Sequence, residues 1–547
     1  MRVMKMTGGL VSAALFTGVI AASVGTAKAE SSPPPITKEE MKKAAKIYFD
    51  RCAGCHGMLR KGATGPALTP DRTRKLGTEA LEAFIYNGTL GGMPDWGKQG
   101  ILSKEEINLL ARYLQHEPPP PPELSMQQMK ATWKVYMPVE DRPTRPQHNL
   151  NWKNFFGVIL RDVGKVAIVD GDTKKLINIV DTGFAVHILR SSASGRYMYS
   201  IGRDGKATVI DLWLSKPDKV AEVKVCYDAR SIDTSKYHGY EDKYAVVGCY
   251  WPPSFVVLDG MTLEPKKIVS TSSYYYDTQE FVREARVASI VSSHYDPIWV
   301  LNIKEAGQVW LVDYSKVDKG TIKIDMIDAE RYLHDGGWDL SKRYFLVAAN
   351  MRNKIVVIDT KDKELEAIVK VGTKPHPGRG ANIDHPKYGP IWCTGHIGEK
   401  RIACIGTDPK GHPQYAWKVV KWIKMPGEGG GNLFIKTHPN SKYLIADRPL
   451  NPDPELKRSI FVFDKNTFEL VKTLKVPKKY KNIRAVHEEF NKDGSEFWIS
   501  VWGKKDQPTA ILVYDAKTLK LKKEITGDWV RTPTGKFNVY NTMKDIY

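Results

Sequence analysis

Apolar positions along the chain change their period at two places. Leu10 to Val24 is an uncharged, largely apolar stretch rich in small residues, preceded by Arg2 and Lys5 and followed by Ala27-Lys28-Ala29. A basic start, a short apolar run and a small-x-small site read as a cleavable export signal over residues 1–29, too short to cross a bilayer comfortably. From Glu30 the period becomes helical: Met41, Ala44, Ala45, Tyr48 and Phe49 share one face, as an amphipathic helix requires. Ser103 followed by Glu106, ahead of Ile107, Leu109, Leu110 and Leu114, predicts a capping box opening a last helix. Residues 30–117 are therefore predicted to be a small all-α domain. Pro118 to Pro122 form a polyproline run, which is extended and semi-rigid, so residues 118–123 read as a linker.

Beyond the linker the period shortens to that of strands. One signature recurs: a β-branched run ending in Asp, a turn, then a basic-apolar strand. The Asp positions are 170, 211, 259, 313, 359, 408, 464 and 515. Copies spaced by about fifty residues, each a strand–turn–strand unit, are the mark of propeller blades. Residues 124–547 are thus predicted to be an eight-bladed β-propeller, with each Asp capping backbone amides of the turn that follows it.

Composition narrows the class. Hydrophobic residues make up 42%, aromatic residues 10% and charged residues 26%, so neither a membrane bundle nor a disordered chain is expected. The formal net charge is +20. Lys and Arg are spread along the chain without long runs, so a basic solvated surface is expected, with attraction of an acidic protein or a small anion. Nucleic acid is not an expected partner, and no later apolar run is long enough for stable membrane insertion.

The chemistry starts at Cys52-Ala53-Gly54-Cys55-His56. Two thiols at this spacing form thioethers to haem vinyl groups, and the following His ligates the iron. The helical domain is therefore read as a cytochrome c domain carrying one covalent haem c. Met93, in Gly91-Gly92-Met93-Pro94, is the expected second axial ligand, since no His precedes Cys52 and Met58 lies too close to His56 to reach the opposite face. Cys226, Cys249, Cys393 and Cys404 form no CxxC pair and are expected as buried free thiols. In the propeller, His187, His334 and His376 each have Gly or Pro nearby and are expected on turns lining the central cavity. The Gly-rich run at Gly427–Gly431 lacks a following Lys-Ser/Thr pair and is not a phosphate loop.

Taken together, Cys52–His56, Met93, Gly183–Arg196 (GFAVHILRSSASGR), Gly202–Gly205, Ala229–Ile232, Tyr250–Pro253, LHDGG at Leu333, HPGRG at His376 and TPTGKF at Thr532 resemble the cytochrome cd1 nitrite reductases over essentially the whole mature chain. The resemblance implies a noncovalent haem d1 in the propeller, with His187 as its proximal iron ligand and His334 and His376 on the distal side as the catalytic pair. Arg161, Arg190, Arg203, Arg230 and Arg379 match positions that contact the haem d1 carboxylates or surround the pocket. Tyr250, Trp502 and Gly535 match pocket positions, and His487 stands where a better-known member carries Gln. It further implies one-electron reduction of nitrite to nitric oxide, a small soluble electron donor (a c-type cytochrome or a cupredoxin), a periplasmic location and a homodimer. The stretch Glu30–Arg51 holds no His and a single Tyr, Tyr48, so no N-terminal arm is expected over the haem d1 iron. The competing readings are a haem d1 maturation protein of the same architecture, a quinoprotein dehydrogenase, and a binding propeller without enzymatic activity. Both distal His residues speak against the first. The absence of regular tryptophan-docking repeats speaks against the second.

Overall fold

The computed structural model describes residues 32–89 and 91–547, and the export signal read at 1–29 lies outside them. Helix α1, Lys38–Arg51, starts at a capping box in which Thr37 and Glu40 satisfy each other's amides, and it buries Ala44 and Tyr48. The one-turn helix α2, Ala53–His56, follows at once. Helix α3, Pro70–Asn87, breaks at Gly77, whose φ of 76° lies in the region glycine tolerates. Helix α4, Lys104–Tyr113, opens at the expected Ser103/Glu106 box. Leu81, Ile85, Ile107 and Leu110 close the domain's apolar core with α1. Arg60 is fully buried there, 4.1 Å from the Tyr113 ring centroid. It donates to the carbonyls of Leu114 and His116 just past the end of α4, where a cation meets the helix's negative end.

The polyproline run does not hang free: the Pro122 carbonyl accepts a 2.7 Å hydrogen bond from the Trp251 indole. After it the chain builds eight four-stranded antiparallel blades around a central axis. Blades 2 to 8 cover residues 188–224, 228–270, 287–328, 333–370, 375–424, 435–475 and 484–525. Blade 1 is made from both ends of the propeller. The strand Pro533–Asn538 pairs with Phe156–Leu160, beside Lys165–Val169 and Leu176–Asp181. The short strand Lys134–Val135 adds a fifth member to the edge of blade 2.

The recurring signature is the third strand of each blade, and its Asp caps the following turn in all eight. The carboxylate accepts the amide two residues on at Asp170, Asp211, Asp259, Asp313, Asp359, Asp408, Asp464 and Asp515. The apolar cores lie between neighbouring blades. Leu346 and Ala348 of blade 5 meet Trp392 and Ile405 of blade 6, and each of the other seven interfaces has its own such cluster. The centre is left for polar side chains.

Two expectations are corrected. The four scattered cysteines are not free thiols: Cys226 is bonded to Cys249, and Cys393 to Cys404. Sequence spacing hid this because blade topology makes the pairs. Cys393 and Cys404 are opposite each other on adjacent strands of blade 6, and Cys226 lies in the short link between blades 2 and 3. Nor are His334 and His376 on turns. They stand near the starts of the inner strands Leu333–Trp338 and Pro375–His385. Glycine in these strands serves close approach: a Cβ on Gly337 would lie 2.0 Å from the Arg379 carbonyl oxygen.

Candidate functional site

The inner strands enclose a cavity of about 240 Å³ on the propeller axis. Of the residues singled out from the sequence, Arg161, His187, Arg190, Arg230, His334, His376, Arg379, His487, Trp502 and Gly535 line it. Arg203 and Tyr250 do not. The Arg203 guanidinium pairs with Asp228 at 2.9 Å and donates to the Asp50 carbonyl of α1 at 3.0 Å. The Tyr250 ring lies near Arg230 and Arg286, 5.3 and 4.7 Å from their guanidinium carbons. Both residues sit where the helical domain meets the propeller.

His187 immediately precedes the inner strand Ile188–Ser191, and its ring opens into the cavity. It makes no side-chain hydrogen bond among the described residues. Burial and the Arg230 charge hold it well below the usual histidine range. A neutral imidazole with a free lone pair is what an iron ligand requires. Of the four cavity arginines, Arg161 pairs with Asp162 at 2.7 Å, and the other three have no acid partner among the described residues. The Nε atoms of Arg190 and Arg230 are buried without a hydrogen-bond partner. Arg379 is spent on the carbonyls of Gly336 and Ile290. Burial, then the neighbouring Arg379 charge, pushes Arg190 down to about 10. Unmatched buried cations are costly unless an anion joins them. A cofactor bearing several carboxylates fits this donor set, and haem d1 is such a group.

Another wall carries His334, Asp335 and His376. The two ring centroids are 5.1 Å apart. Asp335 lies between them, against Nδ1 of His334 and 3.2 Å from Nε2 of His376. Burial pushes His334 down to about 4, although Asp335 opposes this. Burial favours the neutral form of Asp335, but His334 and His376 overcome it and hold the carboxyl well below its usual range. Asp335 was not singled out from the sequence, though it directly follows His334.

In the helical domain, His56 donates its Nδ1–H to the Pro66 carbonyl at 2.8 Å, which leaves Nε2 free for iron. A Cβ on Gly65 would lie 2.7 Å from the ring. Met93 is half-buried in the same apolar cluster as Cys52 and Met58. The haem-attachment segment is held by the propeller. Glu284 accepts the amides of Met58 and Leu59, at 2.6 and 2.9 Å. Arg286 donates to the Ala53 carbonyl, and Lys304 to the Thr64 hydroxyl. A Cβ on Gly54 would lie 1.9 Å from the Arg230 guanidinium. Glu284, Arg286 and Lys304 carry no sequence signal, because their role comes from docking.

Comparison with known proteins agrees with this layout. Residues 150–542 match the family described as the cytochrome D1 heme domain. Residues 39–114 match the family described as cytochrome C oxidase, cbb3-type, subunit III. A nitrite reductase of Stutzerimonas stutzeri is 49% identical over 100% of both chains. A dihydro-heme d1 dehydrogenase of Pseudomonas aeruginosa is 28% identical over 91% of this chain and 93% of its own. Among solved structures, the dihydro-heme d1 dehydrogenase NirN in complex with DHE superposes with a TM-score of 0.68 at 26% identity, covering 91% of this chain and 99% of that one.

Proposed function

Because the chain belongs to the cytochrome cd1 nitrite reductase family, we infer that its cavity reduces nitrite to nitric oxide, taking up one electron and two protons and releasing water. The enzyme is an oxidoreductase with haem c and haem d1. The observation that carries the reading is the pair of imidazoles about Asp335 on the wall of the cavity that also holds His187. Haem d1, when bound, supplies the iron that takes nitrite and passes it the electron received from haem c. The chain's own part is to hold that group and to manage protons.

Cys52 and Cys55 would tether haem c, with His56 and Met93 as its axial ligands. His187 would hold haem d1 by its iron. Arg161, Arg190, Arg230 and Arg379 would meet its carboxylates, with Trp502, His487 and Gly535 packed around it. Arg203 and Tyr250 would act from the domain interface, behind Arg230. On the distal side, His334 stays neutral near pH 7 because burial opposes its charge. An arriving anion lowers that cost, so nitrite binding and imidazole protonation support each other. Two imidazoles then supply the two protons as general acids.

The same reading includes cleavage of the export signal near Glu30, a periplasmic location, a small redox protein as electron donor and a homodimer. Two disulfides on separate blades support an oxidising compartment. The domain limits would be 30–117 and 124–547, joined by 118–123. The test is anaerobic turnover of the purified holoprotein with reduced donor and nitrite, followed with a nitric oxide electrode. Nitric oxide formation is expected. A holoprotein that oxidises dihydro-haem d1 and releases no nitric oxide would overturn the reading.

A further inference from the structure

Behind His376 the cavity wall contains ionisable groups that proton donation by the distal pair leaves unexplained. Asp447 ends the strand Tyr443–Asp447 of blade 7, fully buried. Its Oδ1 accepts the amides of Leu433 and Phe434, each at 2.9 Å, and its Oδ2 accepts the amide of His487 at 3.0 Å. The Leu433 carbonyl, on the other side of the same residue, accepts the Nδ1–H of His376 at 2.8 Å. Because the Phe434 N–H and the Leu433 carbonyl belong to one peptide group, that group links a buried carboxylate to a distal imidazole.

The charges around Asp447 come from four elements. Blade 8 contributes Glu488, Glu489 and His487, and blade 7 contributes Lys436. The closing strand contributes Lys536, and blade 6 contributes His376 itself. Glu489 pairs with Lys436 at 3.3 Å. Lys536 donates to the His487 carbonyl and to the Ser500 hydroxyl. Both carboxyl oxygens of Glu488 are buried without a hydrogen-bond partner. Three carboxyls face two lysines, and burial pushes Lys536 down to about 7, so at least one carboxyl must be protonated for the charges to balance. Glu488, which no donor reaches, is the one that holds the proton, and Asp447, with three backbone donors, keeps its charge. Burial raises both acids, Asp447 to about 6 and Glu488 well above the usual range, the latter with Asp447 adding to the effect. That order agrees with the hydrogen bonding.

We propose that Asp447 is a positioning residue for His376, acting through the Leu433–Phe434 peptide group to fix the imidazole's tautomer and favour its protonated form. This rests on His376 being a proton donor to nitrite. The anion draws on the Phe434 N–H, which shares a peptide group with the Leu433 carbonyl, and so polarises the carbonyl that holds Nδ1–H. Nδ1 is thereby committed, and Nε2 is left to meet Asp335 and the cavity. In turnover His376 gives its Nε2 proton to the departing oxygen of nitrite as the N–O bond breaks. It keeps its Nδ1 proton and regains the other from solvent. The electron comes through haem c, and the second proton comes from His334.

Asp447→Asn removes the charge while nearly keeping the shape. At equal haem c and haem d1 content, with haem c still reduced normally by the donor, nitric oxide formation at pH 7 should fall about 10-fold or more, within the range for outer groups that tune a site. The alkaline limb of the rate profile, on which the proton donor is lost, should move to lower pH. The pH dependence of nitrite affinity, read by optical titration of the oxidised holoprotein, should move with it. In a His376→Ala background the same substitution should add nothing. Unmoved profiles, or an equal effect without His376, would overturn the proposal. If Asp447→Asn does not accumulate with haem d1, Asp447→Ser keeps an oxygen acceptor and gives the same readings. Loss of haem d1 in that variant too would make Asp447 a purely structural residue and refute the assignment. A wild-type protein that forms no nitric oxide would refute the nitrite-reducing reading itself.

Discussion

His187 and His334 are both imidazoles facing the central cavity with depressed proton affinity, yet their neighbours assign them different work. His187 faces arginines and has no hydrogen-bond partner among the described residues, so nothing competes for its lone pair. His187→Ala should leave haem c intact and lose or displace haem d1. Full haem d1 occupancy with an unchanged spectrum would reject the ligand role. His334 leans on Asp335 and on His376. His334→Ala should keep both haems and lose nitrite turnover by about 10²-fold or more, the usual scale for a placed general acid. Wild-type nitric oxide production would exclude it as proton donor.

Among the elements, legibility followed the kind of force at work. The third strands of the blades are apolar runs buried on both faces that lead to an Asp and a turn, and because a capped turn is local chemistry all eight were legible in the sequence. The inner strands were not. Leu333–Trp338 and Pro375–His385 carry Gly and His where a strand normally shows β-branched residues, because they face a cavity and each other rather than a core. The disulfides and Asp447 were illegible for a related reason: their partners are set by which blades become neighbours. In the Gly427–Gly431 run, the carbonyls of Glu428, Gly429 and Gly430 all accept from the buried Arg448. The run is a loop folded around a side chain over twenty positions from its start. The helical domain offers a local test. The hydrogen bond to Arg112, with the Thr37 amide, holds the Glu40 carboxyl at about 2. A carboxyl depressed on folding contributes stability above its unfolded pKa and loses it as pH falls, here from about 4.5 to about 2. Glu40→Gln should flatten that part of the acid unfolding curve, followed at the haem c absorption. An unchanged curve would show that the pair adds nothing.

At the scale of the whole molecule, eight separate cores between blades make a rigid ring and leave its axis for chemistry. The helical domain is tied to that ring close to its own reactive segment. Glu284→Ala should leave two amides of that segment without acceptors, at a cost of about 1–3 kcal/mol. Electron transfer from haem c to haem d1, followed by stopped flow, should become slower or heterogeneous. A single wild-type rate would mean the contact is dispensable. The grip on Cys52–His56 also constrains the protein's biogenesis. With Arg203 on the Asp50 carbonyl, Arg286 on the Ala53 carbonyl and Arg230 pressed against Gly54, the backbone around both thiols is already engaged. Any machinery that must grasp this peptide to form the thioether bonds has to finish before the propeller docks, so the order of assembly is haem c first and the closed enzyme second.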